Sequence, residues 1–227
     1  MSKKRDLIRK DSQKIKDFLT FPIRAISLFE YDRWGLSSLA SERFDYVVRE
    51  VQGYCLDVGC GRYNRFVNDY LNGDGVGIDV FPYEGLTDDQ IVMDMSRFPF
   101  DNESFYSVTF IANLNHIHPS LRDAELAEAF RCLRYNGNII ITMGNPLAEI
   151  IIHKVVKYYD WTFKTNHDMD SQRGMTEDED YYVTSNEIHY RLKKIGFKDI
   201  SRKSFLTQWN LNHLYIGWKR REDLAQD

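Results

Sequence analysis

The sequence holds only three cysteines, Cys55, Cys60 and Cys132, and no Cys-x-x-Cys pair. An odd, scattered set excludes a secreted disulfide framework and suits the reducing cytosol. Basic residues are not in excess. Thirty Lys and Arg stand against 34 Asp and Glu, a formal net charge of −4, so duplex DNA or RNA is a poor partner and no nucleic acid is expected. Long apolar runs are missing too, the longest being stretches such as "AEIII" and "NIIITM", far below the roughly 20 residues that span a bilayer. Neither repeats nor low-complexity segments occur, and the N-terminus lacks the continuous apolar core of a signal peptide. What remains is a chain of 227 residues with 43% hydrophobic content. That is enough for one domain with a substantial core, and a cytoplasmic enzyme fits these limits.

The first 19 residues depart from the average. Lys3, Lys4, Arg5, Arg9, Lys10, Lys14 and Lys16 face only Asp6, Asp11 and Asp17, with Leu7, Ile8, Ile15, Phe18 and Leu19 available for an apolar stripe. Such a helix either packs on the domain with its charged face solvated, the favoured expectation, or lies on a membrane surface. Downstream, "SLASERFDYVVREVQ" has helical spacing and stops at Gly53. A strand follows over 54–58, then a helix from about Asn64 to Leu71, a second strand "GVGID" and a third strand "IVMD". The run Phe105–Ile111 reads as a buried strand. Ser120 with Asp123 resembles a capping box opening a helix that "YNG" closes, and "NIIITM" is a further strand. Thr184 with Glu187 opens the last helix and Gly196 ends it. Strands near 198–205 and 211–218 complete the chain. Alternation of strands and helices implies a mainly parallel sheet covered on both faces, with ligands at the carboxyl ends of its strands.

At those ends the sequence sets three acids. Asp57 precedes Gly59 and Gly61 in "YCLDVGCGRYNRF", Asp79 ends the second strand and Asp94 ends "IVMD". An acid after the second strand can accept from two vicinal ribose hydroxyls, and one after the third can reach an adenine amino group. The first acid would repel a pyrophosphate. The spacing is Asp-x-Gly-x-Gly, with Asn64 where a dinucleotide fingerprint has its last glycine. S-adenosylmethionine, with an ammonium and a sulfonium and no phosphate, fits this charge.

Five stretches in register, "LDVGCG", "GIDV", "MDMSRFPFDNESF", "LNHIH" and "RCLRYNGNIII", resemble the motifs of the class I S-adenosylmethionine-dependent methyltransferases, and in particular their small-molecule branch. The resemblance spans Tyr54 to Met143 and, more loosely, "TSNEIHYRLKKIGF". It implies an α/β fold, a Rossmann-like three-layer sandwich whose seven-stranded, mostly parallel sheet has an antiparallel last strand. It implies that Asp57, Gly59 and Gly61 line the methionine part of the cofactor, Asp79 the ribose, and Asp94 with Met95 the adenine edge, while Asn113 and Leu114 run along it. Two departures are plain: Tyr63 stands where the family has a third glycine, and Phe105-Tyr106 where it often has Phe-Asp.

Methyl transfer from a sulfonium is an in-line displacement that asks mainly for positioning. An oxygen acceptor also gains from a general base, and His116, in the loop after the fourth strand, is the candidate catalytic residue; His118 is less favoured. Substrate residues are expected in the N-terminal segment (Tyr31, Trp34) and in a lid (His167, Arg173, Tyr182). No metal is expected, His167-Asp168-x-Asp170 being too local for a ligand set. The expected division is a helical segment over 1–52, a cofactor core over 53–145, a lid over 146–183 and a final helix with strands over 184–227. The expected small-molecule acceptor is a hydroxyl of a sugar or lipid-linked glycan intermediate, with an isoprenoid quinone or an amine as the alternative. A non-catalytic, cofactor-binding regulatory module is the reading from another class.

Overall fold

The computed structural model describes residues 10–27, 31–146, 154, 158–159, 161–162, 164 and 183–221. Among these residues one sheet has six strands: β1 (Cys55–Val58), β2 (Gly75–Ile78), β3 (Phe105–Ile111), β4 (Leu133–Gly144), β5 (Lys198–Ser204) and β6 (Asn212–Trp218). Their order across the sheet is β2-β1-β3-β4-β6-β5. Strands β1 to β4 pair in parallel, while β6 runs antiparallel to both β4 and β5. The antiparallel last strand is therefore as expected, with six strands described in place of seven.

The core explains the three layers. In β4, Ile139, Ile140 and Ile141 are all fully buried, yet they alternate between two clusters, because successive side chains of a strand leave by opposite faces. Ile139 and Ile141 join Leu126 and Ala129 of α3 (Arg122–Cys132) and Ile188 and Leu192 of α4 (Ser185–Ile195). Ile140 joins Val47 and Val48 of α2 (Leu39–Val48), together with Phe66, Phe205 and Ile216. Each such side chain contributes on the order of 1.5–3 kcal/mol by leaving water. A sheet so apolar on both sides needs helices on both sides.

Several local expectations hold. The Thr184 hydroxyl accepts from the Glu187 N–H, and Gly196 ends α4 at φ +118°. Others change. The stretch "IVMD" is not a strand: Asp79 and Ile91 form a single parallel bridge, and beyond it the chain turns. The expected helix 64–71 is a 3₁₀ turn (Arg62–Asn64) followed by a π-type turn (Phe66–Tyr70), because Tyr63 and Asn64 sit at φ +60° and +44°, which no regular helix tolerates. Ser120 does not cap α3. Its N–H and hydroxyl face His118 Nδ1 at 3.3 and 2.7 Å, and the helix begins at Arg122. "YNG" does not close that helix either, since the backbone is already extended at Leu133.

The N-terminal helix α1 (Asp11–Ser27) is held through charge. Arg24 is fully buried and donates to Glu42 of α2 at 2.8 Å, to the Asp17 carbonyl at 2.6 Å and to the Thr207 carbonyl at 3.3 Å. Asp17 accepts from Ser37 and Gln13, both at 2.9 Å, and Gln208 donates to Glu42 at 2.9 Å. Thr207 and Gln208 belong to the turn between β5 and β6. This turn lies at the same edge of the sheet as Gly144, the carboxyl end of β4, because Gly144 pairs with Asn212. Helix α1 therefore packs along the edge where the parallel strands end.

Candidate active site

The switch point of this topology is between β1 and β3. From β1 the chain moves outward to β2, then returns across β1 to β3, so the two crossover connections diverge and leave a crevice at the carboxyl ends. Asp57 pairs with Gly77 on one side and Thr109 on the other. Its carboxylate is buried and accepts from the Thr109 hydroxyl at 2.6 Å. Burial pushes its pKa up to about 7, the Thr109 bond opposing and nearby Asp79 adding to the rise.

Asp79 organises the loop that follows β1. Its Oδ2 accepts from the Gly61 N–H at 3.0 Å and its Oδ1 from the Phe81 N–H at 3.1 Å, so one buried carboxylate joins the turns after β1 and β2. The glycines have separate reasons. At Gly59 the backbone is at φ +73°, and a Cβ would come within 2.4 Å of the Asn113 amide, which lies across it and donates to the Val58 carbonyl at 3.2 Å. At Gly61 the backbone is also at positive φ, +65°, but a Cβ would meet nothing within 4 Å. The first glycine admits a neighbouring side chain, and the second borders open space. Tyr63, where the family pattern has glycine, is accommodated by its left-handed backbone and by Gly85, whose missing Cβ leaves room for the ring.

The remaining expected residues are spread around this centre. Asp94 is exposed and accepts from the Ser96 N–H (2.9 Å) and hydroxyl (2.6 Å), which hold its carboxyl below the usual range. Met95 and Leu114 are buried in the core on the α3 side. His116 is half-buried in the 3₁₀ turn Leu114–His116 after β3, its Nε2 3.3 Å from the Asn115 amide nitrogen. Tyr31 carries the Arg65 guanidinium over its ring at 4.2 Å, which sets it beside the loop after β1. Trp34 is exposed. His167, Arg173 and Tyr182 lie outside the described residues.

Two further residues belong here. Asn64 is buried against Gly77 and Cys60, and its Oδ1 has no hydrogen-bond partner. Thr109 holds Asp57. Neither was read as functional: Thr109 looks like any β-branched strand residue, and the one signal at Asn64 was an amide in place of a glycine. Burial, and then the charges of Asp57 and Asp79, raise the Cys60 thiol far above its usual range, so it is inert as a nucleophile. Two buried carboxylates and an unpaired amide oxygen make a surround of acceptors. That chemistry fits an ammonium group and vicinal hydroxyls and disfavours a pyrophosphate.

Residues 56–141 match the family model described as "Methyltransferase domain". That segment is a methyltransferase domain. Its cofactor is S-adenosylmethionine and it is a methyltransferase enzyme. The sheet is similar to that of an S-adenosylmethionine-dependent methyltransferase from Archaeoglobus fulgidus, with 13% identity and a TM-score of 0.56 over 78% of this chain and 92% of that one. Phosphoethanolamine N-methyltransferase 2 of Haemonchus contortus, solved in complex with S-adenosylmethionine, aligns over 79% of this chain and 52% of its own (16% identity, TM-score 0.51). A putative methyltransferase of Haloferax volcanii, solved with the Trm112 methyltransferase activator, aligns over 93% of this chain and 96% of its own (14% identity, TM-score 0.53). No curated protein matches by sequence. Asp57, Asn64 and Asp79 of the crevice all fall within the matched segment.

Proposed function

We propose that this enzyme methylates an oxygen of a small hydroxylated acceptor, a sugar or a lipid-linked glycan intermediate, with His116 as general base. The observation that carries the reading is the position of the His116 turn. It leaves the carboxyl end of β3 directly after Asn113, whose amide lies on Gly59. An imidazole there stands beside the methionine end of the crevice, within the loop an acceptor must approach. The bound cofactor supplies an electrophilic methyl on a sulfonium. Asp57 and the Asn64 amide oxygen would hold its ammonium, and Asp79 its ribose hydroxyls. Asp94 with Met95 would flank the adenine edge, while Asn113 and Leu114 would run along the cofactor. His116 would take the proton that the acceptor hydroxyl loses as a carbon–oxygen bond replaces the carbon–sulfur bond and the thioether leaves. Tyr31 and Trp34 would border the acceptor side.

A screen of hydroxylated acceptors with labelled S-adenosylmethionine, run on wild type and His116→Ala, tests this. The reading expects a loss of turnover of about 10²–10⁴-fold with cofactor affinity unchanged, and loss of the rising limb near pH 6–7. Equal pH profiles in the two proteins would remove His116 from the chemistry. Transfer to an amine and to no hydroxyl would replace the acceptor class.

A further inference from the structure

Helix α1 is built inside out. Its inward face carries Asp17, Phe21 and Arg24, all buried, with the two charged residues hydrogen-bonded into the network that ties it to α2 and the 206–208 turn. Its outward face carries Ile15, Phe18, Leu19 and Ile23, spaced by three and four residues so that they form one stripe. Their exposures are 62%, 39%, 69% and 61%. The stripe continues onto the neighbouring turn. Trp209 donates its indole N–H to the Phe18 carbonyl at 2.9 Å, with the Phe18 ring 6.3 Å away, and Leu206 beside it is 64% exposed. A soluble helix ordinarily turns such residues inward, because apolar surface left in water forgoes the stabilisation of burial.

Charge surrounds this stripe. Lys10, Lys14 and Lys16 lie at its N-terminal end, and Lys3, Lys4, Arg5 and Arg9 precede it in the sequence. We propose that α1, with Leu206 and Trp209, docks this enzyme on an anionic lipid surface, the aliphatic stripe entering the interface and the basic residues meeting the headgroups. Two features favour lipid over a protein partner. Trp209 is half-exposed at the end of the stripe, its ring against Phe18 and Phe21, and an aromatic at such an edge suits the headgroup level. The basic charge at the N-terminal end of α1 complements anionic lipid headgroups. Among the described residues no helix is long and apolar enough to cross a membrane, so attachment through α1 is peripheral. The inference stands apart from the acceptor's identity, since it rests on α1 alone. It does set the docked face on the sheet edge where the crevice opens.

The test is co-sedimentation of the full chain with vesicles of phosphatidylcholine alone and of phosphatidylcholine with about a third phosphatidylglycerol. The triple variant Ile15→Gln/Leu19→Gln/Ile23→Gln and the single variant Leu19→Gln are run beside it, with light scattering for oligomeric state and S-adenosylhomocysteine binding as the check on folding. The expected result is binding to anionic vesicles alone, weakened by about 0.5 M salt. The triple variant should lose it by at least about tenfold and the single variant by a smaller factor, with homocysteine-derivative affinity unchanged in both. Three results would each overturn the proposal: no vesicle binding at low salt, unchanged vesicle binding in the triple variant, or a wild-type dimer that becomes monomeric in the triple variant without any vesicle binding.

Discussion

Asp57 is where the residue scale decides most. A carboxyl held near neutrality by burial is largely protonated at pH 6 in the empty protein, and the ammonium of the cofactor favours its ionised form. Binding below about pH 7 therefore releases a proton, and S-adenosylhomocysteine affinity should rise from pH 6 to 8, by up to about tenfold per pH unit, before levelling off. Calorimetry in buffers of different ionisation enthalpy reads the proton directly, and Asp57→Asn should abolish both the release and the pH dependence. Glu125 gives a second titration with no role in the site. It is buried in α3 and pushed up to about 8 by burial alone. A raised acid contributes stability that is complete below its unfolded value near 4.5 and is lost as pH rises through the folded one. Glu125→Gln should then melt higher than wild type at pH 9, and the advantage should vanish at pH 5. A constant offset in thermal scans at both pH values would show that Glu125 is not titrating.

At the scale of elements, the buried Arg24–Glu42 pair decides how α1 is held. Arg24→Met strands Glu42 in the interior with one hydrogen bond from Gln208 and should destabilise by about 3–5 kcal/mol, whereas Arg24→Met/Glu42→Met should recover most of that loss. Urea titration of the two variants separates these outcomes, and equal loss in both would mean the pair itself supplies net stability. This pair also marks the limit of sequence reading. Its partners are 18 residues apart, and Gln208 reaches Glu42 from 166 residues away. Periodicity revealed an amphipathic α1 and carried no information about which face turns inward. Where the determinants were local, the sequence was legible: the Thr184 cap, the Gly196 stop and the βαβ order at Asp57 and Asp79. "IVMD" failed because the bridge at Asp79 and Ile91 is followed at once by the Asp94–Ser96 turn, which diverts the chain before a ladder can form. Ser120 failed because His118, two residues away, competes for its hydroxyl.

For the whole molecule, the same arrangement that divides β4 between two clusters puts every acid of the crevice at one edge, with α1 along that edge and the β3 loop carrying His116 beside it. The glycines and acids of the crevice were visible in the sequence because backbone geometry and charge restrict those positions to few residue types. The acceptor side was not, since Tyr31 and Trp34 follow no period and their neighbours come from distant parts of the chain. The central claim, a cationic cofactor without phosphate held by Asp57 and Asp79, is tested most directly by calorimetric titration of the full chain with S-adenosylhomocysteine and with NAD. The account predicts micromolar binding of the first, about −8 kcal/mol, weakened by roughly 1.5–3 kcal/mol in Asp79→Ala, and no binding of the second. Tight binding of NAD with none of the homocysteine derivative would contradict it.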